Sequence, residues 1–189
     1  VWEEVRFDGL VHASLLAEPG MADRVVKIGS AGKLFGMTGW KIGWIIAGEA
    51  LATLVARAHQ FVTFTTPPAL QWAVAEGLGY DEGWFAAQHA MRVAQRERLK
   101  GGLAAAGFAV MPNAATWFVC VDLVASGIML DDMTFSERAV HECGVASIPV
   151  SALYEEADAP KGFARLCFTK PAGQIDEAIE GLARFRASL

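Results

Sequence analysis

Two lysines eight residues apart stand in a run otherwise mostly of glycines and apolar side chains: Ile28-Gly29-Ser30-Ala31-Gly32-Lys33-Leu34-Phe35-Gly36-Met37-Thr38-Gly39-Trp40-Lys41-Ile42-Gly43-Trp44. Gly29, Gly32, Gly36, Gly39 and Gly43 let backbone approach backbone or a ligand closely and permit positive φ. Ser30 adds a hydroxyl. A lysine flanked by Gly32, Leu34 and Phe35 is expected to be desolvated, which favours the neutral amine and frees it as a nucleophile for carbonyl carbon. A phosphate-cradling P-loop is the first rival, because Gly32-Lys33 matches its Gly-Lys pair. That motif needs glycine five positions before Gly32 and Ser or Thr after the lysine. Lys27 and Leu34 stand there instead, so both requirements fail. The other rival is a plain glycine-rich junction carrying a solvated lysine, and spacing alone leaves it open.

The elements that position this run follow from patterning. Residues 1–7 read as a short strand ending at the turn pair Asp8-Gly9, and residues 25–29 as a second strand. Residues 40–47 make a third. Residues 48–58 read as a helix with Leu51, Leu54, Val55 and Ala58 on one face, residues 61–68 as a Thr/Pro loop, and residues 69–77 as another helix. A long helix spans 81–101, with Arg92, Arg96, Glu97, Arg98 and Lys100 as a solvated face, weakened by Gly101 and Gly102. Arg98 and Lys100 suit its negative C-terminal end. Strands over 108–111 and 117–123, a helix over 133–143, strands over 145–148 and 164–168, and a helix over 174–187 complete the chain. Strand alternating with helix gives the class α/β. Residues 1–80 form one unit, 81–106 a connecting helix, and 107–189 a smaller α+β unit. No internal repeat is visible.

Composition narrows the function. The 189 residues are 53% apolar and 20% charged, enough for a sizeable core and too hydrophobic for a disordered tail. A net charge of −5 argues against an electrostatic grip on nucleic acid or anionic lipid. No apolar run reaches membrane-spanning length; Glu49 and Asp122 interrupt the two longest. Three widely spaced cysteines, Cys120, Cys143 and Cys167, point to a reduced, cytoplasmic protein without a disulfide framework. Residue 1 is Val within a strand-like run, without a signal-like segment, so the chain is expected to begin in mid-protein. His59, His89 and His141 read as surface histidines. On a helix His141 and Cys143 diverge, so no metal site is expected.

Several segments in order carry a resemblance. Ser30-Ala31-Gly32-Lys33, then Phe35 and Gly39-Trp40-Lys41-Ile42-Gly43, resembles the cofactor-lysine signature of class I/II pyridoxal-phosphate aminotransferases of fold type I. The likeness is nearest to the kynurenine, glutamine-phenylpyruvate and methionine transaminase branch. His59 through Pro67 resembles that branch's loop at the dimer interface, and Pro112 through Phe118 the start of a small-domain strand. Gly144 through Tyr154 resembles a later segment, and Gly162-Phe163-Ala164-Arg165-Leu166-Cys167-Phe168 the strand that binds the substrate carboxylate.

The resemblance implies the C-terminal part of a three-layer α/β/α large domain followed by a small α+β domain. It implies pyridoxal 5'-phosphate as cofactor, an aromatic or sulfur-containing amino acid and a 2-oxo acid as substrates, and a homodimer. Lys33 would be the Schiff-base lysine and the base that moves the substrate Cα proton. Ser30 would hydrogen-bond the cofactor phosphate and Lys41 would neutralise it, while Arg165 would clamp the substrate carboxylate bidentately. Phe64 and Thr65 would border the partner subunit's site, and Trp40 and Trp117 would be packing residues. Trp2 stands where the family commonly has a tyrosine whose hydroxyl meets the cofactor; an indole offers only its N–H. The family's aspartate for the ring nitrogen precedes the equivalent of Val1, so the 189 residues alone are expected to transaminate little and to leave apolar surface exposed. A carbon–sulfur lyase on the same scaffold and a non-catalytic remnant remain as alternatives.

Overall fold

The computed structural model describes residues 1–155 and 158–189, which divide into two compact units, Val1–Ala86 and Ala87–Leu189. The first carries strand β1 (Lys27–Ser30), a single helical turn α1 (Ala31–Leu34), strand β2 (Gly43–Ile46) and helices α2 (Glu49–Val62) and α3 (Pro68–Leu78). Helix α4 (Glu82–Ala105) begins in this unit and continues into the second. There follow β3 (Ala109–Val110), β4 (Phe118–Asp122), α5 (Asp132–Cys143), β5 (Ile148–Pro149), β6 (Phe163–Cys167) and α6 (Ala172–Ala187). The chain is mixed α/β, with β1 and β2 antiparallel and a four-stranded antiparallel sheet in the order β3-β4-β6-β5.

Period-2 patterning explains the second sheet. In β4 and β6, Val119, Val121, Ala164 and Leu166 are buried, while Phe118, Cys120, Asp122, Phe163 and Arg165 alternate with them and are half-buried. The buried side meets Leu99, Leu103, Phe135, Ile175, Leu182 and Phe185 in one core. There Phe135 packs against Phe108 and Phe185, with ring centroids 6.4 and 5.5 Å apart. Asp131 caps α5 by accepting the Thr134 backbone N–H at 2.9 Å, and this bond holds its carboxyl below the usual carboxylate range.

Five expectations are corrected. Residues 1–7 do not form a strand: a turn closes Val5 N–H onto Trp2 O at 2.9 Å. The alternation itself is real, since Val5 and Phe7 are both buried; these anchors fix the segment without a ladder. Residues 40–47 begin with a 3-10 turn, Thr38–Trp40, and the left-handed Lys41, so the strand starts only at Gly43. Trp40 is exposed, whereas Trp117 is buried as expected. The strand expected over 145–148 is reduced to the pair at Ile148–Pro149.

The fifth concerns α4. Arg92 and Arg96 are buried, not solvated. They share a face with Leu99 and Leu103, at helical spacing i, i+4, i+7 and i+11. Position on the helix decided burial, and the Arg96 guanidinium is met inside by hydrogen bonds to Asn113. The helix also runs past Gly101 and Gly102 to Ala105, so Arg98 and Lys100 lie before its last turn. Gly102 is no stop signal: a Cβ there would collide with Ile179 of α6. Gly102→Val is expected to lower the stability of this unit by about 1–3 kcal/mol through overpacking. Its thermal midpoint should then fall by roughly 4–8 °C per kcal/mol, read by calorimetry.

Candidate active site

The glycine-rich run folds back on itself around the β1–β2 pair. Ser30 lies opposite Gly43 and Gly29 opposite Trp44, and Ala31 N–H donates to Ile42 O at 3.2 Å. Thr38 Oγ1 donates to Gly32 O at 3.1 Å, drawing the 3-10 turn against α1. Beneath, Ala31, Ile42 and Val74 form a small core with Phe35, Met37, Trp44 and Leu70. Two glycines are forced by this close passage: a Cβ on Gly29 would overlap the Trp44 indole, and one on Gly43 would meet Gly29 O. A Cβ on Gly32 would lie 2.7 Å from Thr38 Cα.

This folding puts three of the named polar groups on one loop. Ser30 sits at the junction of β1 and α1, half-buried, and its side chain does not cap the helical turn. Lys33 is half-buried on α1, with Nζ over the Trp2 ring at 5.1 Å from its centroid. That distance is within range for a cation–π contact. Lys41 is exposed, in the left-handed region at φ 54°. One amine steadied by an aromatic face, a hydroxyl not engaged as a cap and a second ammonium suit an aldehyde-bearing phosphate. On the donor set, pyridoxal phosphate fits. Among the described residues no cluster of three or more potential metal ligands occurs, and all three cysteines are free.

Arg165 belongs to the second unit, on β6, opposite Cys120 of β4 and Ile148 of β5. It is half-buried, its guanidinium lies over the Phe118 ring with Cζ 4.2 Å from the centroid, and among the described residues its Nε is buried with no hydrogen-bond partner. A guanidinium with an unused donor has the chemistry to pair with a carboxylate. Burial pushes the Cys120 thiol up, opposed by the Arg165 charge.

Phe64 is exposed, with φ 67°, and Thr65 follows it in the loop after α2. His59, His89 and His141 are exposed, as expected. Sequence reasoning missed Phe118 as the surface under Arg165 and Asn113 as the group that holds Phe118. Strand alternation would have put Phe118 and Arg165 on one face once β4 and β6 were paired, but the register is not written in either strand alone. The contact of Trp2 with Lys33 joins residues 31 positions apart; the resemblance put both beside the cofactor, but the stacking of the amine on the indole was not foreseen.

The model of the family described as aminotransferase class I and II matches residues 6–182. A "Probable N-succinyldiaminopimelate aminotransferase" of Mycobacterium tuberculosis is 36% identical over 97% of this chain and 48% of its own length. The methionine aminotransferase of Escherichia coli is 32% identical over 96% of this chain and 47% of its own. A solved structure of N-succinyldiaminopimelate aminotransferase from M. tuberculosis superposes with a TM-score of 0.90 at 38% identity, covering 97% of this chain and 48% of that one. The chain thus spans about half the length of the relatives it matches.

Proposed function

Because the chain belongs to the class I and II aminotransferase family, we propose that the protein carrying it moves an amino group between an amino acid, aromatic or sulfur-containing, and a 2-oxo acid. The observation that carries this reading is the glycine-bounded run in which Lys33 lies over Trp2, with Ser30 ending β1 before it and Lys41 following the 3-10 turn. Pyridoxal phosphate, when bound, supplies an aldehyde for the amine and a ring that withdraws electrons from substrate Cα.

Lys33 Nζ would hold the cofactor and would carry the proton to and from substrate Cα. Its contact with Trp2 limits where the amine points before substrate arrives. Ser30 Oγ would donate to the phosphate, and Lys41 would supply a point charge to it. Arg165 takes the substrate α-carboxylate and so fixes the Cα–H bond for abstraction. Residues 1–80 serve as part of the cofactor-binding domain and 107–189 as the small domain. The enzyme works as a cytoplasmic homodimer. Phe61, Val62, Phe64 and Trp72 support assembly, each more than three-quarters exposed in the first unit. Among the described residues no helix is long and apolar enough to cross a membrane. The 189 residues alone transaminate little, in keeping with their covering about half the relatives' length.

The choice of an aromatic or sulfur-containing donor is supported by relatives named for methionine and for kynurenine. The test offers methionine, phenylalanine, kynurenine and N-succinyl-diaminopimelate in turn, each with 2-oxoglutarate, to the natural protein that contains this chain. Glutamate formed fastest from one of the first three supports the proposal. A clear preference for the succinylated donor overturns the donor class, and release of methanethiol, 2-oxobutyrate and ammonia from methionine without glutamate overturns the reaction.

A further inference from the structure

Arg165 is held from below by a chain of contacts that begins at a buried charge on another element. Arg96, 3% exposed on α4, donates from Nε to Asn113 Oδ1 at 2.8 Å and from Nη2 to the Asn113 carbonyl. With its oxygen so engaged, the Asn113 amide can point only its Nδ2 toward the start of β4. That nitrogen donates to Ala115 O and Phe118 O, both at 2.7 Å. Thr116, between them, takes a left-handed φ of 74°, rare for a β-branched residue, and its Oγ1 accepts the Phe118 N–H at 3.3 Å. The strand start is therefore fixed in both donor and acceptor directions. The Phe118 ring, diagonal to Arg165 across the β4–β6 ladder, lies beneath the guanidinium.

We propose that Phe118 is a positioning residue for substrate-carboxylate binding, set in place by the Arg96–Asn113 clamp. The inference rests on Arg165 being the carboxylate site. The physical need is plain. An arginine side chain has many rotamers, and each bond it makes to a carboxylate is worth more when the fork is already oriented. Neither backbone nor a carboxylate among the described residues holds the Nε edge of Arg165. An aromatic face fixes the plane of the guanidinium without using any of its hydrogen-bond donors. An acidic neighbour would orient the side chain equally well but would compete with the substrate for the charge.

The test uses the natural protein that contains this chain, with 3-phenylpropanoate as a carboxylate probe and 3-phenylpropanamide as its uncharged counterpart. Phe118→Leu is expected to raise KM for the amino acid and the 2-oxo acid, and Kd for 3-phenylpropanoate, by roughly 3- to 30-fold. kcat at saturation should stay within about twofold, and binding of the amide should not change. Phe118→Tyr, which keeps the ring, should restore the native values. Asn113→Asp keeps the acceptor for Arg96 but turns an oxygen toward the Ala115 and Phe118 carbonyls, and should reproduce the Phe118→Leu effect.

Unchanged KM and Kd in Phe118→Leu overturn the proposal, as does equal damage from leucine and tyrosine. If Phe118→Leu does not fold, Asn113→Asp decides: native Kd for 3-phenylpropanoate overturns the proposal and a raised Kd with native amide binding supports it. Failure of the underlying reading is distinct, because Arg165→Ala would then leave the Kd for 3-phenylpropanoate unchanged.

Discussion

Lys33→Ala is expected to abolish the borohydride-stable attachment of pyridoxal phosphate and to lower the transamination rate by at least about 10²–10⁴-fold, the range set by losing a positioned general base. Lys33 has two duties in the proposed mechanism, holding the cofactor and moving the Cα proton, so one substitution removes both. No neighbour replaces it. Lys41 lies beyond the 3-10 turn and is exposed, and Lys27 is engaged in an ion pair with Glu3. The measurement is reduction with borohydride in the presence of the cofactor, followed by peptide mass spectrometry. Stoichiometric modification confined to Lys33, absent from the alanine variant, is the expected result. Labelling spread over surface lysines, equal in native protein and variant, would show that the loop is not the cofactor site.

Arg165→Ala should weaken kcat/KM for every carboxylate-bearing donor by roughly 30- to 3,000-fold, corresponding to about 2–5 kcal/mol for truncating one partner of a desolvated charged pair. Arg165→Lys should recover only part of this loss, since an ammonium cannot match a carboxylate with two parallel N–H bonds. A readout independent of turnover is available at Cys120. Its thiol is raised by burial and lowered by the Arg165 charge. Removing the charge leaves burial unopposed, so the Cys120 pKa rises and its alkylation at fixed pH slows in Arg165→Ala. Site-resolved iodoacetamide labelling reads this. Faster alkylation of Cys120, with no drop in kcat/KM, would separate Arg165 from the site.

The two predictions differ in how far the sequence alone could support them. Around Lys33 the local order of residues is nearly the whole argument. Gly29, Gly32 and Gly43 are small because backbone or an indole passes where their Cβ would be, and that requirement is written at each position. The helices were legible for a similar reason: α5, α6 and most of α4 repeat apolar side chains at helical spacing, a signal confined to one segment. Arg92 and Arg96 were misread by residue type, although their spacing to Leu99 and Leu103 carried the right answer.

The sequence by itself determined the mixed α/β class, the family and the order of the chemical groups along the chain, because each depends on neighbours within one segment. Tertiary structure alone decided what faces what. The Trp2 ring under Lys33 and the Phe118 ring under Arg165 are contacts between segments, set by chain folding and strand register. A slip of one residue in that register would turn Phe118 to the buried side and leave Arg165 without its platform. Register is a property of two strands and the core that locks them, here Val119, Val121, Ala164 and Leu166, and no single strand encodes it.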